Sequence, residues 1–284
     1  MEKKRNILWV LRHLAVLYFT ENIPQAAAEL SYFLLFSFCP ILMFITAGFS
    51  LLNLSKDEIE MVTRFLPISV QSIIRSYMTY LAWQPRISPM LIGTVLTIYF
   101  LSRAVRSLMY KVNEIYHVRE RKGMVYQVVM SLVFTCGFLL SIIGTLALVV
   151  FGRTAFRMIR KWLPVPDVVT NVVESAAMPV AMCIIFLFIL LVNKLLPNIR
   201  LSWRQVLPGA ALSFCSWILI SVCFSFYVDN IARYSLLYGS LGAIIVLMLW
   251  LYMTCITLLM GPVLNRILLL RSAEKRKKKA EGLS

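Results

Sequence analysis

The stretch SLGAIIVLMLWLYMTCITLLMGPVLN, residues 240–265, holds 26 consecutive positions without a charged side chain. At 1.5 Å per residue, roughly 20 apolar residues cross a hydrocarbon core about 30 Å thick, so this run can span a bilayer as one helix. Immediately after it come Arg266, Arg271 and the block Lys275–Lys279, KRKKK. A long apolar run closed by basic side chains reads as a span whose end lies on the cytoplasmic side.

The same pattern recurs toward the N-terminus. Hydrophobic residues make up 60% of the 284 positions and charged ones 15%, against about 25% charged in soluble domains. Mean hydropathy is +0.79. These values exclude an ordinary soluble enzyme, a disordered chain and a disulfide-framed secreted module. They predict an all-α polytopic membrane protein, with spans at about 27–52, 88–112, 124–151, 175–193, 205–228 and 240–264 in a single domain over 1–270. Residues 271–284 form a basic tail. The six cysteines all fall inside apolar runs, with no CxxC and no neighbouring His, and read as small buried side chains.

Position gives the net charge of +16 its meaning. If both termini are cytoplasmic, the inner loops and tails collect twenty Lys/Arg and the outer segments nine. This bias predicts N-in/C-in topology. A nucleic-acid partner is not expected. The partners expected of the basic face are the bilayer itself and its anionic phospholipid headgroups; the run Lys275–Lys279 reads as a solvated topology anchor, with headgroup binding as the alternative. No cleavable leader is expected. Residues 5–20 read instead as an interfacial helix, because Ile7–Phe19 is nearly all apolar apart from a narrow stripe at Arg5, Asn6, Arg12, His13 and Thr20. Residues 57–83 and 153–174 read as amphipathic helices on the outer surface, the first divided by Pro67 and the second turned by Pro164 and Pro166.

Inside the spans, Pro40 removes a backbone hydrogen bond midway along the first and should kink or open it. Glu29 is the most informative residue, since a carboxylate near hydrocarbon needs a partner or a wet cavity. On the assigned topology Arg103, Arg106, Asn113, Glu114, Asn193, Lys194 and Asn265 share its depth. The expectation is a polar cluster near the cytoplasmic leaflet, with Glu29 paired to Arg103 or Arg106. Small residues at Gly137, Gly144, Gly239 and Gly242 mark close helix contacts. No HExxH, GxSxG, phosphate-binding loop or Cys/His quartet occurs, so no catalytic activity, metal or cofactor is expected.

Three stretches carry a family resemblance: AAAELSYFLLFSFCP at 26–40, LSRAVRSLMYKVNEIYHVRER at 101–121, and LPNIRLSWRQVLPGAALS with YGSLGAIIVLMLWLYMTCITLLMGPVLN at 196–213 and 238–265. Together they resemble the YihY/BrkB family of bacterial inner-membrane proteins, over about residues 10–270. The resemblance implies a six-span bundle in the bacterial cytoplasmic membrane and no settled activity. Members once carried the name ribonuclease BN, regarded as a misassignment, and a transporter-like role is often suggested. Pro40, Asn113, Pro208, Gly209, Tyr238, Gly239, Gly242 and Asn265 match the family pattern. The common Gly-Ala-Glu-x-Asn ending reads Gly261-Pro262-Val263-Leu264-Asn265 here, so Val263 replaces the acidic residue. The functional expectation is transport or export of an anionic solute or lipid. The alternative is a non-transporting scaffold that supports envelope integrity. A membrane-bound nuclease is disfavoured because no acid/base pair or metal-ligand set is evident.

Overall fold

The computed structural model describes residues 2–51, 87–118, 123–162, 167–230 and 241–280. Every regular element among them is an α-helix: α1 Glu2–Thr20, α2 Ile23–Leu51, α3 Ile87–Ile115, α4 Met124–Trp162, α5 Asp167–Leu195, α6 Trp203–Asn230 and α7 Leu241–Ala280. Helices are what an apolar solvent demands, because they satisfy their own backbone hydrogen bonds. Four segments of the described residues are long and apolar enough to cross a membrane: Leu91–Ile115, Val125–Ile142, Trp203–Val228 and Ile244–Glu274. Pro179–Leu195 is a shorter apolar helix. In α2 no charge follows Glu29 before the helix ends at Leu51.

Two boundaries differ from the sequence reading. Residues 153–162 continue α4, and 167–174 open α5, so these positions are ends of long helices and not a separate surface helix. Nothing between Met124 and Trp162 stops propagation, since isolated glycines cost about 1 kcal/mol each and a packed helix absorbs that. Pro40 is buried and does not end α2, which runs on to Leu51. The expected amphipathic segment at 57–83, and Tyr238 and Gly239, lie outside the described residues.

The chain divides into two packed units: Met1–Leu35 with Ser102–Ser131 and Ile189–Ser284, and Phe36–Leu101 with Leu132–Phe188. In the first, buried residues follow helical spacing. Ile23, Ala27 and Leu30 line one face of α2, and Ala104, Leu108 and Val112 one face of α3. Cys255, Leu259, Val263 and Ile267 form a four-residue ridge along α7, the kind of row that packs into a neighbouring groove. In the second unit, Phe36 meets Phe100 and Phe138 meets Phe188 with centroids 5.6 and 5.5 Å apart. Many apolar side chains face outward, among them Leu91, Val95, Leu140, Leu219 and Phe226, as lipid-facing positions do. So do Cys136, Cys183, Cys215 and Cys223, against the expectation that the cysteines are buried, and of the five described cysteines only Cys255 is buried.

In the first unit, α6 and α7 touch backbone to backbone. A methyl added at Gly261 would lie 2.8 Å from the Gly209 carbonyl oxygen and 3.0 Å from Asn193 Oδ1. Only glycine allows that approach. Pro262 has no N–H for the Leu258 carbonyl one turn back. Ser213 of α6 reaches this loosened turn, its Oγ donating to Thr257 O at 2.8 Å and lying 3.4 Å from Leu258 O.

Candidate functional site

A cavity of about 290 Å³ lies in the first unit between α2, α3 and α4. Glu29 and Phe33, one turn apart on α2, form one wall. Arg103, Arg106, Ser107 and Tyr110 form another, because spacings of three and four residues place them on one face of α3. Met109, also of α3, and Gln127 of α4 complete it. Beside the cavity the hydroxyls of Ser102 and Ser131 are 2.9 Å apart and tie α3 to α4.

The charged groups are held in different ways. The Arg103 guanidinium lies over the Phe33 ring, 5.5 Å from its centroid, a cation–π contact that orients it without consuming its hydrogen-bond donors. Arg106 Nε donates to the Ser102 carbonyl at 3.4 Å, leaving its terminal nitrogens for the cavity. Glu29 is exposed, and among the described residues no cation lies within ion-pair distance of it. The expected Glu29 pairing with Arg103 or Arg106 is therefore absent from the described ion pairs; the three side chains line one cavity instead. Two guanidiniums and one carboxylate around a small open cavity can hold an anion or a zwitterion.

The other candidates lie elsewhere in the same unit. Asn265 is fully buried. Its Oδ1 accepts from Gly209 N at 2.8 Å, and its Nδ2 donates to Asn193 Oδ1 at 3.3 Å and Val206 O at 3.2 Å. Asn193, also buried, donates to Ile189 O at 3.0 Å. Together with the glycine contact, these amides clamp α5, α6 and α7. Asn113 Oδ1 accepts from the Asn198 amide at 2.8 Å, fastening the link after α5 to the end of α3. Glu114 pairs with Lys111 at 2.8 Å. Lys194 donates to Leu201 O and sits 5.3 Å from the Trp203 ring centroid. Pro208 is exposed early in α6, and Gly242 is buried in α7.

One polar centre escaped sequence reasoning. Glu21, in the turn between α1 and α2, accepts from Arg266 of α7 at 2.5 Å. His117 Nε2 stands 3.6 Å from the same carboxylate oxygen, an ion pair when the ring is protonated. Local backbone presents both flanking groups. Asn22 and His117 have φ of 50° and 52°. At the end of α3, Val118 N bonds Asn113 O at 3.0 Å and His117 N bonds Glu114 O at 2.8 Å, a Schellman cap with His117 in the left-handed position. The available signal was Glu21-Asn22-Ile23-Pro24, an acidic residue at a helix start marked by proline. Arg271 of α7 lies over the Trp9 ring at 5.5 Å, so α1 is docked on α7 through more than one contact.

Tyr116, in the turn after α3, supplies a smaller test. Burial pushes its phenol up to about 12; the Asn265 amide beside it pulls the other way but is engaged with Asn193 and Val206 and makes no hydrogen bond of ordinary geometry with the buried hydroxyl. Tyr116→Phe removes an unsatisfied group and should leave the melting temperature unchanged or raise it, by the equivalent of about 1 kcal/mol or less. The folded pKa is raised, so this group's contribution is present below pH 10 and lost as pH climbs toward 12. Alkaline melts should show Tyr116→Phe losing less stability than wild type above pH 10; identical curves would contradict the assignment.

The chain is similar to several known sequences. It is 31% identical over 254 residues to the putative ribonuclease-like protein YfkH of Bacillus subtilis (strain 168), covering 89% of this chain and 90% of that protein. It is 25% identical over 249 residues to the UPF0761 membrane protein of Xanthomonas campestris pv. campestris (strain 8004), covering 85% of this chain and 56% of that one. The UPF0761 membrane protein of Xanthomonas oryzae pv. oryzae (strain PXO99A) matches to the same extent. The chain therefore spans about half the length of the Xanthomonas relatives. No solved structure matches it. A family model described as Virulence factor BrkB matches residues 17–282. With nearly the whole chain matched, and with long apolar helices where a membrane protein needs them, this protein belongs to the Virulence factor BrkB family.

Proposed function

We propose that this chain is a six-span, N-in/C-in protein of the bacterial cytoplasmic membrane that transports or exports an anionic solute or lipid. The carrying observation is the cavity between α2, α3 and α4, where Arg103 and Arg106 of one long, mostly apolar helix both line about 290 Å³. Arginines in apolar helices are costly and mark pathways or binding sites. The excess of Lys/Arg on the proposed cytoplasmic side supports the orientation and would concentrate anions at the inner face. The reading contains no hydrolytic step and no metal or cofactor. The bilayer is its constant partner, with anionic headgroups against the basic tail.

The test is reconstitution of the full chain into liposomes, beside native mass spectrometry of the gently solubilised protein. Wild type should retain one anionic class and move it across the bilayer. The double variant Arg103→Gln/Arg106→Gln should lose that retention and at least tenfold in flux, since hydrogen bonds to charged groups are each worth about 1.5–3 kcal/mol. Retention of bulk lipid alone, unchanged in the variant and with no flux, would favour the scaffold reading.

A further inference from the structure

We infer that the α2–α3–α4 cavity takes the headgroup of an amine-bearing phospholipid, its phosphate between Arg103 and Arg106 and its ammonium against Glu29. This rests on the reading of the cavity as a site for an anionic group and changes the ligand's net charge: the phosphate is that anionic group, and the ammonium makes the whole headgroup a zwitterion. Glu29 lines the same cavity as both arginines, yet among the described residues it forms an ion pair with neither. Its charge is therefore not spent on neutralising them. A ligand that is only an anion would enter against this carboxylate. A ligand carrying an ammonium a few bonds from its phosphate meets the matching sign at both ends. Phe33 faces the Arg103 guanidinium at 5.5 Å and so holds that arginine toward the phosphate end of the headgroup.

The surroundings select a lipid over a free solute, and the size admits only its headgroup. Small-molecule pockets run to about 300–1,000 Å³, and this one, at about 290 Å³, has room for a headgroup and none for acyl chains. It is open, with Glu29, Arg103 and Tyr110 all exposed. The same three helices carry exposed apolar side chains in this unit: Tyr32 on α2, Tyr110 on α3, and Val125 and Val129 on α4. A polar cavity flanked by outward apolar side chains fits an amphiphile, with its head inside and its chains along the lipid-facing surface.

Binding of three probes to the purified full chain tests this: dioctanoyl phosphatidylethanolamine, dioctanoyl phosphatidylglycerol and water-soluble phosphoethanolamine. Wild type should bind the ethanolamine lipid about tenfold tighter than the glycerol lipid, and the soluble headgroup more weakly than either. Glu29→Gln should weaken the ethanolamine lipid about tenfold and leave the glycerol lipid unchanged or tighter, while Glu29→Asp keeps the preference. Arg103→Gln/Arg106→Gln should lose both lipids. Equal binding of the two lipids by wild type, a comparison that needs no variant, overturns the ammonium assignment and leaves the anion site standing. Phosphoethanolamine binding as tightly as its lipid overturns the amphiphile. Binding of none of the three overturns the anion reading as well.

Discussion

Gly209→Ala should lower the apparent melting temperature by several degrees, and Gly209→Val should prevent recovery of folded protein. At Gly209 an added methyl would meet the Gly261 carbonyl oxygen and the Asn265 amide, whose Cγ would be only 2.5 Å away. Those neighbours are backbone and a fully buried, hydrogen-bonded side chain, so neither can yield cheaply. Overpacking a tight core typically costs about 1–3 kcal/mol, and the larger isopropyl group would also separate Gly209 N from Asn265 Oδ1, now 2.8 Å apart. Gly137 is the internal control, because neither it nor Gly144 makes the close helix contact expected from the sequence. A methyl there meets nothing within 4 Å, so Gly137→Ala should be neutral or gain up to about 1 kcal/mol of helix propensity. If the two alanine variants melt together, the close α6–α7 approach is wrong. Asn265→Leu should resemble Gly209→Ala, and the two losses should be less than additive because both open the same contact.

Glu21→Ala should be the most damaging single charge removal among the described residues. Glu21 and Arg266 keep 10% and 15% of their side-chain surface exposed and meet at 2.5 Å. Deleting the carboxylate leaves a guanidinium buried without its counter-charge, and breaking such a pair from one side costs about 3–5 kcal/mol. Replacing both partners by apolar groups is often far milder. Thermal melts should therefore rank Glu21→Ala below the double variant Glu21→Ala/Arg266→Met. Simple additivity would show that the two side chains do not depend on one another. Glu21 sits at the α1–α2 turn and Arg266 on α7, so loss of the pair should also loosen α1. Trp9 reports this directly, because its ring lies under Arg271 at 5.5 Å. Its fluorescence should shift in Glu21→Ala and not in Gly209→Ala.

The contrast between Glu29 and Glu21 shows how far residues can be read without coordinates. Glu29 stands out in sequence because it interrupts an apolar run, and its placement beside the arginines follows from helical spacing and antiparallel chain order. Glu21 sits among polar neighbours at a helix junction, where a carboxylate is unremarkable. Its partner Arg266 is 245 positions away and reads as an ordinary charge closing a span. The asparagines show the same limit. Shared depth groups Asn193 and Asn265 with the charged residues, but depth says nothing about azimuth. Their side chains face each other across the α5–α6–α7 contact and not the cavity.

Sequence by itself determined that this chain is helical and membrane-embedded, and to which family it belongs. Those follow from one-dimensional quantities: the length of uncharged runs, the placement of Lys and Arg, and motif order. The helices extend further than the sequence boundaries suggested, since propagation costs little and only strong breakers or tertiary contacts end it. Tertiary structure alone decided which polar residues meet. It put Arg103 and Arg106 into a cavity with Glu29, gave Arg266 to Glu21, and pressed Gly209 against Gly261. The physical reason is that helix rotation and crossing are set by packing between distant segments, and a shift of one residue turns a side chain by about 100°. Periodicity along one helix fixes its own faces but not the face of the neighbour it will meet.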